Sequence, residues 1–497
     1  MNDLYYWTIA PQLVVLGTAI LVLCLSMLVK DRHAGIHTLL GFTGLAVAGG
    51  WLTRLLGYHT TSFGNMVVVD GFSTILQAAI IAGAALSLLI ASDHLSRNRN
   101  EHAGEYVSLL LFATWGMMLL ATAADLIMVF LAIEVMSISV YVLTGFARRR
   151  DTSIEAALKY LVIGGFASAF LLYGIALIYG ATGTTNLVAV RTSLASGTFG
   201  GESMLALLGT GFLLTGLGFK IGAVPFHMWA PDVYQGAPTP VTAFMSVGVK
   251  AAATGALARI ALEALAPLSD RWYPALLALA ILTMVAGNLL ALRQTDLKRL
   301  LAYSSIAHAG YLLVGLAAAI QPGAGNQATA GILFYLLTYA VTNTGAFAVI
   351  IAVQPDTGER TSLSDFRGLS QKRPLMALLL TLFLLSLAGI PPLAGFAGKF
   401  YLFSAAIQSK LYLLAIAGVL SAVVGVYYYL RVIAVMYMEE PEASPFGTSR
   451  SLRPALVAGL AAAAILVMEL GISAIPATGA FKASYFEAIR SHLQVLF

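Results

Sequence analysis

Four ionisable residues, Glu134, Lys220, Lys250 and Lys399, stand inside stretches that are otherwise apolar and long enough to cross a membrane. An acid and several amines held at that depth can pass protons or line a wet path for ions. A charged side chain at the bilayer centre costs roughly 2.5–3.5 kcal/mol, so four cost on the order of 10 kcal/mol. Inert membrane helices do not carry such residues. Glu134 lies about ten residues past the start of its span near Ala124, or about 15 Å at 1.5 Å per residue, half of a hydrocarbon core of about 30 Å. By the same arithmetic Lys250 is about ten residues past Pro240, Lys220 about eleven before Pro231, and His308 about nine past Arg299. Four ionisable groups on four helices are thus expected to share one plane. Snorkelling does not explain Glu134, Lys220 or Lys250, because a lysine stem reaches only about 6 Å.

Other charges have competing explanations. His308 is either a relay or a neutral histidine hydrogen-bonded inside a bundle. Lys159 follows a capping box at Thr152, Ser153, Ile154 and Glu155 and lies about a turn and a half inside, which suits either a surface anchor or proton uptake. His227 follows Pro225 closely and reads equally as a relay or as a partner to a helix break. Arg259 and Glu263 are spaced i,i+4 and pair with each other. Arg431 and Glu469 lie toward span ends, where solvation accounts for them.

The elements that must hold these residues are membrane helices. Hydrophobic residues make up 59% of the chain and charged residues 10%, against about 25% charged in a soluble domain. Apolar windows of about 20 residues recur throughout and number about fourteen. The expectation is an all-α polytopic membrane protein with no soluble domain. Loops after odd-numbered spans hold most of the basic residues, including Lys30, Arg32, Arg97, Arg99, Arg148, Arg149, Arg150, Arg293, Lys298, Arg299, Arg360, Arg367, Lys372, Arg373, Arg450 and Arg453. The remaining loops and tail hold Arg54, Arg191, Arg271, Lys410, Lys482 and Arg490. Basic loops stay inside, so both termini are expected outside. The net charge of +5 is the sum of this bias and requires no nucleic acid.

Two spans look broken. The seventh holds Lys220 among Gly216, Gly218, Gly222 and Pro225; the twelfth holds Lys399 with Gly389, Pro391, Pro392, Gly395 and Gly398. Proline removes an internal hydrogen bond, and in a membrane that is tolerated where protein, water or polar side chains satisfy the freed carbonyls. Breaks five spans apart, an odd offset, point to two inverted five-helix repeats with ion sites at the breaks. The chain then divides into a three-helix segment (residues 1–104), a first repeat of spans four to eight (105–265), a second repeat of spans nine to thirteen (266–438), and a last span with a short tail (439–497).

Cys24 is the single cysteine and falls in the first span, so no thiolate-built iron–sulfur, zinc or haem site is expected. Neither a G-x-G-x-x-G nor a Walker A sequence occurs. Six of the eight histidines fall in loops or near span ends. Any electron transfer linked to this chain is expected to run elsewhere.

Three stretches carry a family resemblance: FKIGAVPFHMWAPDVYQGAPTPVTAF from Phe219 to Phe244, GNLLALRQTDLKRLLAYSSIAHAGYLLVG from Gly287 to Gly315, and LAGIPPLAGFAGKF from Leu387 to Phe400. With these the chain resembles the subunit N family of bacterial respiratory complex I, the NADH–quinone oxidoreductase, whose mitochondrial counterpart is NADH dehydrogenase subunit 2. The likeness runs through essentially all the spans. Lysine rather than glutamate at position 399 argues against the second antiporter-like subunit, and the short tail after Pro476 against the largest one.

The resemblance implies proton transfer by Glu134, the acidic partner in the fifth span, by Lys220 and Lys250, and by Lys399 at the exit, with His308, His227 and Lys159 as relay candidates and Pro225, Pro391 and Pro392 as helix breaks. Movement of Glu134 toward or away from Lys220 would switch that lysine between holding and releasing a proton. It further implies no cofactor in this chain, with NADH, FMN, iron–sulfur clusters and quinone in partner subunits. The implied partners are the other membrane subunits, neighbouring antiporter-like ones among them, and the lipid bilayer, with no nucleic acid. The implied location is the bacterial inner membrane with periplasmic termini. Alternatives are a subunit of a multi-subunit sodium/proton antiporter, a related ferredoxin- or F420-linked complex, and a structural spacer whose charges have lost their role.

Overall fold

The computed structural model describes residues 5–28, 34–97, 102–196, 204–355, 358–440, 452–474 and 484–493. Lys30, Arg32, Arg99, Arg450 and Lys482 of the charge map lie outside these residues. The chain is a helical multi-pass membrane protein. It starts with α1 (Ala10–Leu28), α2 (Ala34–Leu55) and α3 (Gly71–Arg97). A hairpin of β1 (Thr60–Ser62) and β2 (Val67–Val69) joins the last two, with Thr60 opposite Val69.

The first repeat comprises α4 (Ala103–Thr122), α5 (Leu126–Thr144), α6 (Asp151–Thr182), the short α7 (Leu187–Ser196), the half-helices α8 (Met204–Ile221) and α9 (Trp229–Gly236), and α10 (Thr239–Arg259). The second comprises α11 (Ser269–Ala291), α12 (Leu297–Ile320), α13 (Gly325–Val353), the single turn α14 (Leu369–Lys372), the half-helices α15 (Pro374–Ala388) and α16 (Ala394–Gln408), and α17 (Tyr412–Met438). The last span is α18 (Pro454–Ser473), and α19 (Ser484–His492) follows.

Among the described residues 13 helices are long and apolar enough to cross a membrane. The twelfth span is not one of them, because it is split into α15 and α16, each of 15 residues. Counted as one span, the pair restores the fourteen expected from sequence. α10, α12 and α13 are buried almost throughout and form the centre, while only about a third of the residues across α1, α6 and α17 are buried.

A local motif repeats in the two halves. Asp125 caps α5 through Ile127 N at 2.8 Å, and Asp296 caps α12 through Arg299 N at 2.9 Å. Each cap also accepts a hydroxyl from a later loop, Thr185 at 2.8 Å and Thr361 at 2.5 Å. Each is flanked by paired backbone bonds, Leu126 N to Thr185 O at 2.9 Å and Leu297 N to Thr361 O at 2.7 Å. The same chemistry thus starts the second helix of both repeats, and an offset of five spans puts the two copies on opposite membrane faces.

Both breaks turn on a glycine with positive φ, 76° at Gly222 and 90° at Gly389, a conformation that costs other residues roughly 1–2 kcal/mol. Each glycine is followed three residues later by a cis-proline, Pro225 and Pro392. The freed backbone finds partners: Val224 N donates to Thr283 Oγ1 of α11 at 3.0 Å, and Gly395 N to Ser386 Oγ at 3.0 Å. Trp229 Nε1 donates to Phe219 O at 2.9 Å, tying α9 back to the end of α8.

Arg259, at the end of α10, is 4% exposed. It pairs with Glu263 at 2.7 Å as its spacing predicts, and also with both carboxylate oxygens of Asp70 at 2.9 Å, which the sequence does not show. This triad fixes the C-terminal end of α10 to the start of α3.

Candidate functional site

Lys220 sits in the last turn of α8 rather than midway along a continuous helix, because the helix stops at Ile221. The carbonyl end of a helix favours a cation. The Lys220 side chain is 1% exposed and donates to Ser137 Oγ at 2.8 Å and Tyr141 OH at 3.2 Å, both on α5. The Tyr141 and Phe219 rings lie 5.4 and 5.5 Å from its Nζ.

Glu134 is half-buried on the same helix, and its Oε1 accepts from Ser168 Oγ of α6 at 2.5 Å. The expected direct pairing of Glu134 with Lys220 is absent; the carboxylate is bonded to Ser168 instead. Glu134 stands in a stripe whose other members, Leu131 and Ile138, are 52% and 57% exposed. The acid therefore faces the outside of the bundle at mid-depth, with Ser137 and Tyr141, three and seven residues further on, turned toward Lys220.

Lys250, 3% exposed on α10, donates to Ser305 Oγ of α12 and lies 5.9 Å from the Tyr234 ring. A Cβ added to Gly222 would come within 3.7 Å of its Nζ, so the break of the seventh span opens directly onto Lys250. One turn beyond Ser305, His308 bonds Tyr335 OH through Nδ1 and Tyr429 OH through Nε2, the latter at 3.2 Å. Tyr429 also bonds Ser304. One turn further, Tyr311 lies beneath Lys399, whose Nζ is 5.1 Å from the ring centre. Asn288 holds Tyr311 at 3.3 Å, Ser421 at 2.7 Å and Tyr428 at 3.0 Å.

Lys399, 6% exposed on α16, donates to Leu387 O at 2.8 Å and Ala388 O at 2.9 Å at the end of α15. Among the described residues, none of Lys220, Lys250 and Lys399 bonds a carboxylate directly. Their partners are hydroxyls and carbonyls.

The relay candidates separate. His308 joins the buried line. His227 lies half-buried in the break itself, and Pro225, Pro391 and Pro392 face outward. Lys159 is 42% exposed and pairs with Glu155 at 2.8 Å and Asp232 at 3.0 Å, while Arg299 also takes Asp232 at 2.6 Å. That cluster is a surface network beside the break, away from the buried line. The positions missing from the sequence reading are Ser137, Tyr141, Ser305, Tyr311, Tyr335 and Tyr429. Helical spacing from Glu134 marks the first two, and spacing from His308 marks Ser305 and Tyr311. Lys298, counted as a loop charge, is 0% exposed. Among the described residues no three His, Cys, Asp or Glu side chains cluster as a metal site would.

The fold as a whole is that of a known class. The family model described as NADH:quinone oxidoreductase/Mrp antiporter, transmembrane, matches residues 123–425, and the chain belongs to that family. Within it the chain is a member of the subunit N family of NADH–quinone oxidoreductase. It is 47% identical to NADH-quinone oxidoreductase subunit N of Trichlorobacter lovleyi over 92% of this chain and 93% of the relative. A chain of respiratory complex I from Thermus thermophilus is similar in structure, with a TM-score of 0.78 and 37% identity over 93% of this chain and 97% of that one. A chain of the Mrp complex from Dietzia shares the fold at a TM-score of 0.82 with 21% identity, over 99% of this chain and 97% of that one.

Proposed function

We propose that this proton-translocating membrane subunit of NADH–quinone oxidoreductase moves protons from Lys220 to Lys250, along α12 through Ser305, His308 and Tyr311, and on to Lys399. The observation that carries this route is that three buried amines have only neutral hydrogen-bond partners. A permanent cation would be poorly served there, since unpaired buried charge is expensive. An amine that alternately binds and releases a proton is served well by the hydroxyls beside Lys220 and Lys250, which both donate and accept, while the carbonyls beside Lys399 only accept.

Glu134 supplies the adjustable field. Bonded to Ser168 near the outer surface, it strengthens the hold of Lys220 on its proton when it approaches and weakens it when it withdraws. The driving signal is quinone reduction in neighbouring subunits, which carry NADH, FMN, iron–sulfur clusters and quinone; this chain carries none of them. His227 and the Lys159–Asp232 cluster flank the uptake side, and Lys399 serves release. The four-part division at residues 104, 265 and 438 then has a functional sense, with one half of the route in each repeat. The location read with this route is the bacterial inner membrane, with the Arg148–Arg150 loop cytoplasmic and both termini periplasmic.

Lys220→Arg tests the route. Guanidinium keeps the positive charge but does not release its proton near neutral pH. In assembled complex reconstituted into vesicles, NADH-driven proton pumping is expected to be lost with Arg as with Ala. Wild-type pumping by Lys220→Arg would reduce Lys220 to a structural charge.

A further inference from the structure

Glu359 lies in the loop between α13 and α14, yet its side chain is only 10% exposed. Its Oε1 accepts from Thr239 N, the first residue of α10, at 3.0 Å. Its Oε2 meets Arg150, the residue that opens α6, at 2.9 Å and Lys298, the second residue of α12, at 3.3 Å. Lys298 also donates to Ala237 O at 2.5 Å, two residues before α10. The loop itself is held. Gln354 clasps Arg360 through Arg360 N at 2.6 Å and Arg360 O at 2.9 Å, and Thr361 is bonded to Asp296.

Three helices therefore start on one carboxylate. α6 carries Ser168, the partner of Glu134; α10 carries Lys250; α12 carries Ser305 and His308. Two belong to the first repeat and one to the second. We propose that Glu359 is a positioning residue that sets the register between the repeats, holding Lys250 against Ser305 so that a proton can cross from one half to the other. This rests on the route proposed above. A rigid helix transmits a shift at its first turn to a residue about ten positions on, and α10 and α12 are both buried almost throughout. Burial alone would push the Glu359 carboxyl up, but Lys298 and Arg150 outweigh it and hold it well below the usual carboxylate range. The tie is thus ionised throughout the working range of pH.

The test uses assembled complex in vesicles, with NADH–quinone turnover, proton pumping and the ratio of turnover in H₂O to that in D₂O measured per assembled complex. Glu359→Gln is expected to lower turnover at least about tenfold and raise the isotope ratio, since misplacing reacting groups by about 1 Å can cost about 10²-fold. Glu359→Asp, which keeps the charge, should recover part of the loss. Glu359→Gln leaves Lys298 buried without its partner and can impair assembly. The double variant Glu359→Gln, Lys298→Met removes both charges and should assemble, yet turn over as slowly as the single one. Wild-type turnover and isotope ratio in the assembled double variant would overturn the proposal, whatever the single variant does. Lys250→Met run in parallel separates the layers. If it pumps normally, the route through Lys250 fails and the proposal with it; if it is inactive while the Glu359 variants are normal, only the register role fails.

Discussion

Lys399 donates to the carbonyl oxygen of Leu387 at 2.8 Å, and Leu387 precedes Gly389 by two residues as Lys220 precedes Gly222 by two. Both lysines are thereby associated with the carbonyl end of the first half-helix at a break, where the backbone dipoles favour a cation. One is built into that end, and the other reaches it across the gap.

The two break glycines should not respond alike to a methyl group. Gly222→Ala pays roughly 1–2 kcal/mol for its positive φ, with the new Cβ in ordinary contact 3.7 Å from Lys250 Nζ. Gly389→Ala has the same conformational cost, and its Cβ comes within 3.0 Å of Lys399 Cδ and 3.3 Å of Nζ. Pumping by assembled complex should fall further with Gly389→Ala. Equal activity of the two variants would remove the case for a tightly seated Lys399.

Tyr141 is tested without touching it. A Cβ on Gly164 would collide with Tyr141 OH, whereas one on Gly165 meets nothing within 4 Å. Gly164→Ala should displace the hydroxyl from Lys220, and a hydrogen bond to a charged group is worth about 1.5–3 kcal/mol. Proton-coupled turnover should drop roughly tenfold or more, while Gly165→Ala stays near wild type. If both are normal, the Tyr141 contact does not matter to Lys220.

Membrane orientation is open to labelling. In a variant with Cys24 replaced, a membrane-impermeant maleimide added to intact cells should modify Thr192→Cys and spare Arg149→Cys, both at exposed positions. The reverse pattern would invert the map.

The Asp70–Arg259–Glu263 triad should show itself in acid. Burial pushes the Asp70 carboxyl up, but Arg259 and the Ser73 hydrogen bonds outweigh it, leaving it below its ordinary value. A depressed carboxyl contributes stability that is complete above its unfolded value of about 3.9 and fades as pH falls from there through the folded value. Breaking such a buried pair costs about 3–5 kcal/mol. Asp70→Asn should lower the thermal midpoint of the subunit by a constant amount from pH 8 to 5, with the gap closing only below about pH 4. A gap that closes near pH 6 would assign the effect to another group.

The spans, their breaks and the depth of the lysines were legible because membrane helices are specified by long local runs, and glycine and proline interrupt them visibly. Partner choice was not. Lys220 bonds residues 79 and 83 positions away, and which face of α5 meets it depends on how α5 and α6 pack. Glu134 pairs with Ser168 for the same reason. Lys298 was misread because a lysine beside Arg299 looks like a solvated loop charge, and Glu359, beside Arg360, carries no local sign of burial. Their burial arises only when the starts of three helices converge, which no local pattern records. Arg259 was half legible: its i,i+4 partner Glu263 lies in the helical turn that follows α10, but Asp70 is 189 residues away.

The difference between the two breaks has an electrical meaning. Lys220 rides on the half-helix that ends at its own break, so a hinge motion there moves charge and dipole together. Lys399 rides on α16 while its acceptors terminate α15, so a motion at the second break pulls them apart. Moving one elementary charge across 100 mV takes about 2.3 kcal/mol. On the proposed route, in which protons leave at Lys399, back-pressure from an energised membrane therefore acts at the step that parts this amine from its carbonyls.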